Sequence, residues 1–283
     1  MSVSILSKIR ESGILAGWAT RLALLILLLI ALMATFAPWL GTVDPTLLDP
    51  SIRLQGPSAE HWLGTDALGR DLYSRIVYGA RVSFVVGFGV LAVTAVFGVF
   101  FGSVSGYFPA ADAVIMRVMD GIMAIPGILL AIALVAVSGA SLMTVLIAIA
   151  IPEIPRMTRL VRGVILSVRS EPYVEAALTL GTPTHTILIK HMFPNTFAPL
   201  IVQGTYVFAS AVLLEAILSF LGAGIPPEIP SWGNIVAEGR KFFQLVPGPV
   251  LYPGLFLSIT ILSINLLGDA LRDALDPKLA ARL

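Results

Sequence analysis

The chain has 283 residues, of which 57% are hydrophobic and 12% charged, and its formal net charge is +1. Soluble domains carry about 25% charged residues, so this composition predicts an integral membrane protein. The absence of cysteine excludes disulfides, cysteine-ligated metals and thiol catalysis, and three scattered histidines make a metal site improbable. The charge indicates no nucleic-acid partner, and we expect no cofactor.

The first predicted span is the uncharged run Leu22 to Val43, which follows Lys8, Arg10 and Arg21. About 20 apolar residues cross a bilayer, and flanking basic residues stay inside, so residues 1–20 are expected to form a cytoplasmic tail. A cleaved signal peptide is the alternative. It is less favoured, because the apolar run exceeds the usual length and further spans follow.

The segment GRDLYSRIVYGARVS, residues 69–83, is predicted to be an interfacial helix on the outer membrane surface. Leu72, Ile76 and Gly79 share one face, and Asp71 with Arg75 would form an i,i+4 pair. Residues 21–81 would therefore contain the first span and an extracytoplasmic loop with this helix.

Span 2 is expected near Ser83 to Gly106. It contains Gly98, Gly102 and Gly106, a tandem GxxxG row that allows a neighbouring helix to approach closely.

Residues 121–152 are uncharged, and a helix of 32 residues would be roughly 48 Å long, too long for one crossing. We therefore predict two spans with a break at residues 138–141. Span 3 would begin near Ala113, with Arg117 and Asp120 paired in its first turns and a kink at Pro126-Gly127, and span 4 would run to about residue 157.

Span 5 is predicted at about Phe197 to Leu221 and span 6 at about Val250 to Gly268. This six-span arrangement puts 12 Lys and Arg inside and 6 outside, with both termini cytoplasmic. Residues 82–283 would form the core with five spans and a short cytoplasmic C-terminal tail.

The polar loop 171–195 is expected to hold two short cytoplasmic helices. Ser170 could cap the first helix, Gly181 could end it in a left-handed conformation, and Pro194 is expected to end the second. The first helix carries a stripe at i, i+3, i+4 and i+7, and so short a helix needs a packing surface on this chain or on a partner. The stripe consists of Tyr173, Ala176, Ala177 and Leu180.

Gln203, Glu215 and Asn265 are polar residues that lie deep inside predicted spans. An intramembrane carboxylate is a candidate functional group, but for Glu215 we favour burial against a neighbouring helix over contact with a substrate. For Gln203 and Asn265 we favour hydrogen bonds between helices over a place in a transport pathway.

The sequence contains neither the nucleotide-binding pattern GxxxxGK followed by Ser or Thr, nor HExxH. The chain is therefore predicted not to be an enzyme, and any ATP chemistry would belong to another subunit.

Four stretches resemble the C-type permease subunits of dipeptide, oligopeptide and nickel ABC importers, over essentially the whole chain after span 1. The cytoplasmic loop keeps the family's EAA, Gly and Pro pattern, with Met192-Phe193 where Ile-Leu is usual. The stretches are EAALTLG (Glu175 to Gly181) with HMFPN, HWLGTDALGRDLYSRIVYGARVS, LSFLGAGIPPEIPSWGNIV and NLLGDALRDALDP.

The resemblance implies an all-α permease fold with six transmembrane helices and a cytoplasmic EAA hairpin, in a bacterial inner membrane. It implies a second homologous permease subunit, two cytoplasmic ATPase subunits and an extracytoplasmic binding protein as partners. The loop would dock into an ATPase through Tyr173, Glu175, Ala176, Ala177, Leu180, Gly181 and Pro194. Peptides are the expected cargo; nickel, opines or glutathione are alternatives, as is an ion-coupled secondary transporter.

Overall fold

A computed structural model describes residues 17–275, and in this part of the chain regular structure is helical apart from one β-bridge between Thr65 and Asp71. Most of the predicted tail 1–20 and the last residues of the C-terminal motif lie outside the described residues. The helices are α1 (Trp18–Thr35), α2 (Leu72–Tyr107), α3 (Pro109–Met123), α4 (Gly127–Ser138), α5 (Leu142–Arg169), α6 (Pro172–Thr179), α7 (Thr184–Thr186), α8 (Phe197–Phe220), α9 (Trp232–Gly239) and α10 (Gly248–Leu275).

Four helical segments in residues 17–275 are long and apolar enough to cross a membrane, and a fifth is added if the bent pair α3–α4 counts as one span. The four are α1, α2, the continuous segment Thr184–Phe220, and α10. Helix α5, expected to be span 4, is not among them, since it carries Glu153, Arg156 and Arg159 along its length. The membrane character is therefore confirmed, while six spans stay a prediction.

Helix α1 begins earlier and ends earlier than the predicted span from Leu22 to Val43. It ends at Thr35, and a short 3₁₀ turn, Ala37–Trp39, follows. Pro38 lies in that turn, and proline cannot donate the hydrogen bond that would continue an α-helix. The apolar run is thus divided by its own proline.

The predicted separate interfacial helix at residues 69–83 is wrong: these residues belong largely to α2, which is continuous for 36 residues. Asp71 caps the helix by accepting a hydrogen bond from the Ser74 N–H. Leu72 and Ile76 are fully buried, and the Trp232 indole donates to the Ile76 carbonyl at 3.1 Å. The segment therefore packs on α9 instead of lying on a lipid surface.

The glycine row of α2 makes the close helix contact that the sequence predicts, and its neighbour is α5 of the same chain. A Cβ atom at Gly98 would lie 2.4 Å from the Met157 side chain. At Gly106 it would lie 2.7 Å from Cβ of Ile165. Real Cβ atoms do not approach this closely, so glycine is required for this packing.

The break between α4 and α5 is confirmed, and the expected kink before Gly127 is a sharp bend. Gly139 has φ +83°, and Ser141 caps α5 by accepting from the Thr144 N–H. Helices α3 and α4 meet at 86° across Pro126. The predicted span 3 is thus two helices joined at an elbow.

Ion pairs fasten α3 to α5, and they correct the predicted pair of Arg117 with Asp120. Asp120 instead accepts a hydrogen bond from Arg159 at 2.6 Å. Arg162 binds Asp112 through two bonds of 2.5 and 2.6 Å. The bidentate geometry gives this second pair orientation as well as attraction.

A buried ion network, which we call the outer network, joins the loop before α2 to α9. It consists of Asp66, Arg70, Arg75 and Glu238. Arg70 Nε donates to Asp66 at 2.7 Å, Arg75 donates to Glu238 at 2.6 Å, and further bonds join Arg75 to Asp66 and Arg70 to Glu238. The predicted pair of Asp71 with Arg75 is therefore wrong.

The electrostatics of the outer network favour the ionised form of Asp66. Burial acts to raise the pKa of the Asp66 carboxyl, but the charges of Arg75 and Arg70 and two backbone N–H bonds outweigh it. The pKa of Asp66 consequently lies below its usual value. Two of the six basic residues that the sequence places outside are thus paired with buried Asp66 and half-buried Glu238.

Candidate functional site

Helix α6 has sharply defined ends. Glu171 is the N-cap residue and Pro172 occupies the first turn, whereas the Ser170 hydroxyl donates to the Ser167 carbonyl, so the predicted Ser170 cap is wrong. At the other end Gly181 has φ +73°, as predicted. Its N–H donates to Leu178, and the next N–H, of Thr182, donates to Ala177, which is the Schellman pattern.

The stripe predicted on α6 is divided between two faces. Val174 and Ala177 are buried and pack with Ile165, Ile187 and Met192, from α5 and from the segment that follows α6. The other three stripe residues, Tyr173, Ala176 and Leu180, are exposed, as is Glu175. Val174, which the predicted stripe omitted, is thus part of the face that holds α6 to its own chain.

The exposed residues Tyr173, Ala176 and Leu180 form what we call the outer face of α6. The Leu180 side chain is 84% exposed. A leucine this exposed beside an alanine offers apolar surface with little steric obstruction. The outer face is therefore suited to contact with another protein.

The second helical segment does not end at Pro194, which corrects the prediction. After α7 the chain forms a π-helix, Ile187–Met192, then a 3₁₀ turn, Phe193–Thr196, and continues directly into α8. Pro194 occupies the first turn of the 3₁₀ segment, where a missing N–H is tolerated. One unbroken helical segment therefore joins the polar loop to a membrane span.

Side-chain hydrogen bonds connect α6 to this segment at the π-helix. The Tyr173 hydroxyl donates to the His191 carbonyl at 3.3 Å. The Asn195 amide donates to the same carbonyl at 2.8 Å and to the Tyr173 hydroxyl at 3.1 Å. Single π turns are frequent at functional sites, and here the carbonyl at the π turn is shared by both elements.

Glu215 is fully buried in α8, close to α9. Its Oε1 accepts a hydrogen bond from the Ser219 hydroxyl at 2.8 Å, while Oε2 has no partner within residues 17–275. The backbone of Gly233 lies against Ala216, so that a Cβ there would be 2.7 Å from the Ala216 Cα. This burial favours the structural role expected for Glu215, while Gln203 and Asn265 are half-buried and their roles stay predictions.

Residues 95–281, more than half of the chain, match the family model described as binding-protein-dependent transport system inner membrane component. The chain belongs to this family. The match covers the last third of α2 and all later helices, including the polar loop, and it confirms the resemblance found in the sequence. The family consists of transport permeases, which is consistent with a subunit that is not an enzyme.

Relatives of this permease are similar over most of their length. A probable peptide ABC transporter permease protein of Sinorhizobium fredii is 52% identical over 87% of this chain and 84% of its own. A dipeptide transport system permease protein of Alkalihalophilus pseudofirmus is 46% identical, with 90% and 84% covered. A glutathione transport system permease protein of Pectobacterium atrosepticum is 41% identical, with 92% and 87% covered.

Proposed function

We propose that this permease forms half of the translocation path of an ABC importer for di- or oligopeptides in a bacterial inner membrane. The observation that carries this is the 52% identity to a probable peptide ABC transporter permease. A second homologous permease, two cytoplasmic ATPases and an extracytoplasmic binding protein would complete the assembly. The family match favours this machinery over an ion-coupled secondary transporter.

The relative of Pectobacterium supports a short-peptide cargo more broadly, since its name gives glutathione as its substrate. Glutathione is itself a tripeptide. The names of the Sinorhizobium and Pectobacterium relatives therefore both describe transport of peptides. Cargo selection would rest mainly with the binding protein.

In this proposal the outer face of α6 docks onto an ATPase subunit. Ala176 permits close approach, and Leu180 supplies apolar surface for the partner to bury. The buried face of α6 packs on α5 through Val174 and Ala177, so that displacement of α6 moves α5 with it. Tyr173 links the same helix to the segment leading into α8.

The proposed topology has six spans with both termini and residues 171–195 in the cytoplasm. Helix α5 would be the span whose polar side chains face protein or water, which explains why its apolarity is low. Because the native chain has no cysteine, a Thr184→Cys variant tests this orientation cleanly. Labelling of that thiol by an impermeant reagent added outside intact cells would contradict the topology.

Docking is tested with the Ala176→Trp and Gly181→Val variants. Ala177→Trp, which the sequence suggested as an obstruction, would instead disrupt the chain's own packing, because Ala177 is buried. A β-branched residue at Gly181 costs about 1–2 kcal/mol because φ is positive, and it would misdirect the following segment.

We expect both variants to insert normally but to lose binding-protein-stimulated ATP hydrolysis and peptide uptake in reconstituted vesicles. Leu221→Ala is a suitable control, because Leu221 is an exposed leucine in the loop after α8, away from α6. Wild-type stimulation and uptake in both Ala176→Trp and Gly181→Val would show that α6 is not the coupling element.

A further inference from the structure

Charged side chains lie along one exposed face of α5. The Arg156 side chain is 61% exposed and that of Arg159 is 46% exposed. Gly163 continues the same face one turn further on, and no atom lies within 4 Å of a Cβ built there. We call Arg156, Arg159 and Gly163 the open face of α5.

Two helical distances place Arg156 at the level of the hydrocarbon, given the topology proposed above. Arg156 lies 14 residues after Leu142, or roughly 21 Å along the helix, which leaves about 9 Å of a ~30 Å core. From the other side, Ile165 packs on Gly106, the predicted inner end of span 2, and lies nine residues below Arg156, or roughly 14 Å. Both estimates put the guanidinium inside the membrane.

A lipid-facing position for this face is unfavourable for two independent reasons. A guanidinium at this depth normally faces the interior of a bundle or a water-filled cavity. The exposed elbow between α3 and α4 is a break in helical hydrogen bonding, which lipid cannot satisfy. The elbow adjoins the same side of α5, since a Cβ at Gly127 would lie 3.2 Å from Pro152, one turn before Arg156.

A groove borders the open face on its cytoplasmic side. It has a volume of about 600 Å³ and lies between α5 and the start of α8. Its polar side chains are those of Arg159, Ser167 and Asn195, and the rest of its lining is Gly163 with the apolar residues Leu160, Val164, Val168 and Pro199. The groove is thus mostly apolar, with polar groups supplied by these three side chains, and it extends the open face towards the end of α5.

We propose that the open face of α5 is a water-facing wall of the translocation path and that Arg156 binds the carboxylate of a peptide in transit. This rests on the proposed function. Arg156 is held by Glu153, which is buried and accepts from one guanidinium nitrogen at 3.4 Å and from the Ser210 hydroxyl at 3.3 Å. This long contact uses one guanidinium nitrogen of Arg156, and the remaining N–H groups suit bidentate binding of a carboxylate.

The carboxylate of a peptide cargo accounts for the position of Glu153 and Arg156 on α5. Glu153 orients the guanidinium without enclosing it, because its own side chain is 6% exposed while that of Arg156 is mostly free. A short peptide carries a terminal carboxylate that must leave bulk water on the way through the membrane. A cation halfway along α5 would stabilise that charge on the water-facing wall, at the depth of the hydrocarbon.

Cysteine accessibility tests the wall. In the assembled complex, Arg156→Cys and Gly163→Cys should react with a cationic, water-soluble methanethiosulfonate, because the thiolate forms only in water. Leu28→Cys on α1 and Val96→Cys on α2, both exposed apolar positions, should react at least tenfold more slowly. If Arg156→Cys reacts no faster than these two, the face is covered by lipid or by the second permease, and the proposal is overturned.

Uptake tests the carboxylate. Arg156→Gln should lower uptake of a dipeptide roughly tenfold, the effect of one charge-assisted hydrogen bond, while Arg156→Lys, which keeps the charge but not the paired donors, should lower it less. ATP hydrolysis stimulated by loaded binding protein should persist in Arg156→Gln. This result separates a defect in the translocation path from a defect in ATPase docking. The double variant Glu153→Gln/Arg156→Gln removes the unpaired buried acid and should show the same loss. Wild-type uptake in either glutamine variant would overturn the proposal.

Discussion

Replacing Gly102 with alanine tests the packing of α2 on α5 most directly. A Cβ atom at Gly102 would lie 2.6 Å from Cβ of Val161 and 2.7 Å from the Thr158 carbonyl oxygen. Ordinary carbon contacts begin near 3.5 Å, so the two helices must separate by roughly 1 Å to admit one methyl group. Both obstructing atoms belong to or adjoin the α5 backbone, which cannot turn aside as a flexible side chain would.

The expected cost follows from that overlap. Overpacking costs about 1–3 kcal/mol, and alanine recovers about 1 kcal/mol through its better helix propensity. Separation of the helices also loosens the contacts at Gly98 and Gly106, which adds to the cost. We therefore expect a net loss of about 1–2 kcal/mol, seen as a lower unfolding temperature of the detergent-solubilised permease.

Gly254→Ala is the matched control, because Gly254 lies in α10 and no atom lies within 4 Å of a Cβ built there. This variant gains the same helix propensity without the overlap, so its unfolding temperature should be equal to or above that of the wild type. Equal unfolding temperatures for Gly102→Ala and Gly254→Ala would refute the close contact between α2 and α5.

Two further predictions concern polar contacts outside the predicted spans. The pKa of Asp66 is lower in the folded protein than in the unfolded chain. The carboxylate therefore stabilises the fold above its unfolded pKa of about 3.9, and this stabilisation is lost as the pH falls further. Asp66→Asn should therefore unfold at a lower temperature at pH 7 and show a weaker loss of stability as the pH falls below about 3.9; an unchanged loss would contradict this. Tyr173→Phe removes two exposed hydrogen bonds, each worth about 0.5–1.5 kcal/mol, and should raise the ATP hydrolysed per peptide imported without releasing the ATPases. An unchanged ratio in reconstituted vesicles would exclude the hydroxyl from coupling.

Features that depend on a few neighbouring residues could be predicted from the sequence. Gly139 and Gly181 both have positive φ, a conformation that a residue with a Cβ rarely adopts. Each glycine follows a helical run, so its position predicts the end of that helix. The row at Gly98, Gly102 and Gly106 could likewise be predicted, since glycines four residues apart leave one face of a helix without side chains.

Pairings between distant residues could not be predicted from spacing. Asp120 has Arg117 within reach on its own helix, but its observed partner, Arg159, is 39 residues away. Arg75 likewise binds Glu238 on α9 instead of Asp71. Local spacing gives the pairs that are possible, and the packing of helices selects among them.

The candidate site was located by its sequence pattern, but not the direction of its faces. Tyr173, Ala176, Ala177 and Leu180 share a stripe, and the position of Ile165 and Met192 determines that only Ala177 turns inward. The continuation of the helix through Pro194 also depended on context, since the π turn before it places the proline where its missing N–H costs little.

The outer network imposes an order on the biogenesis of this permease. Arg70 leaves the ribosome 168 residues before its partner Glu238, a delay of roughly 10–30 s at ordinary rates of synthesis. Arg70 and Arg75 each pair with Asp66 and Glu238 in the folded protein. During that interval, of these two acids only Asp66 has been synthesised. Two arginines thus share one carboxylate until α9 has been synthesised. The arrival of Glu238 then completes the charge balance and fixes the outer loops, late in the maturation of the chain.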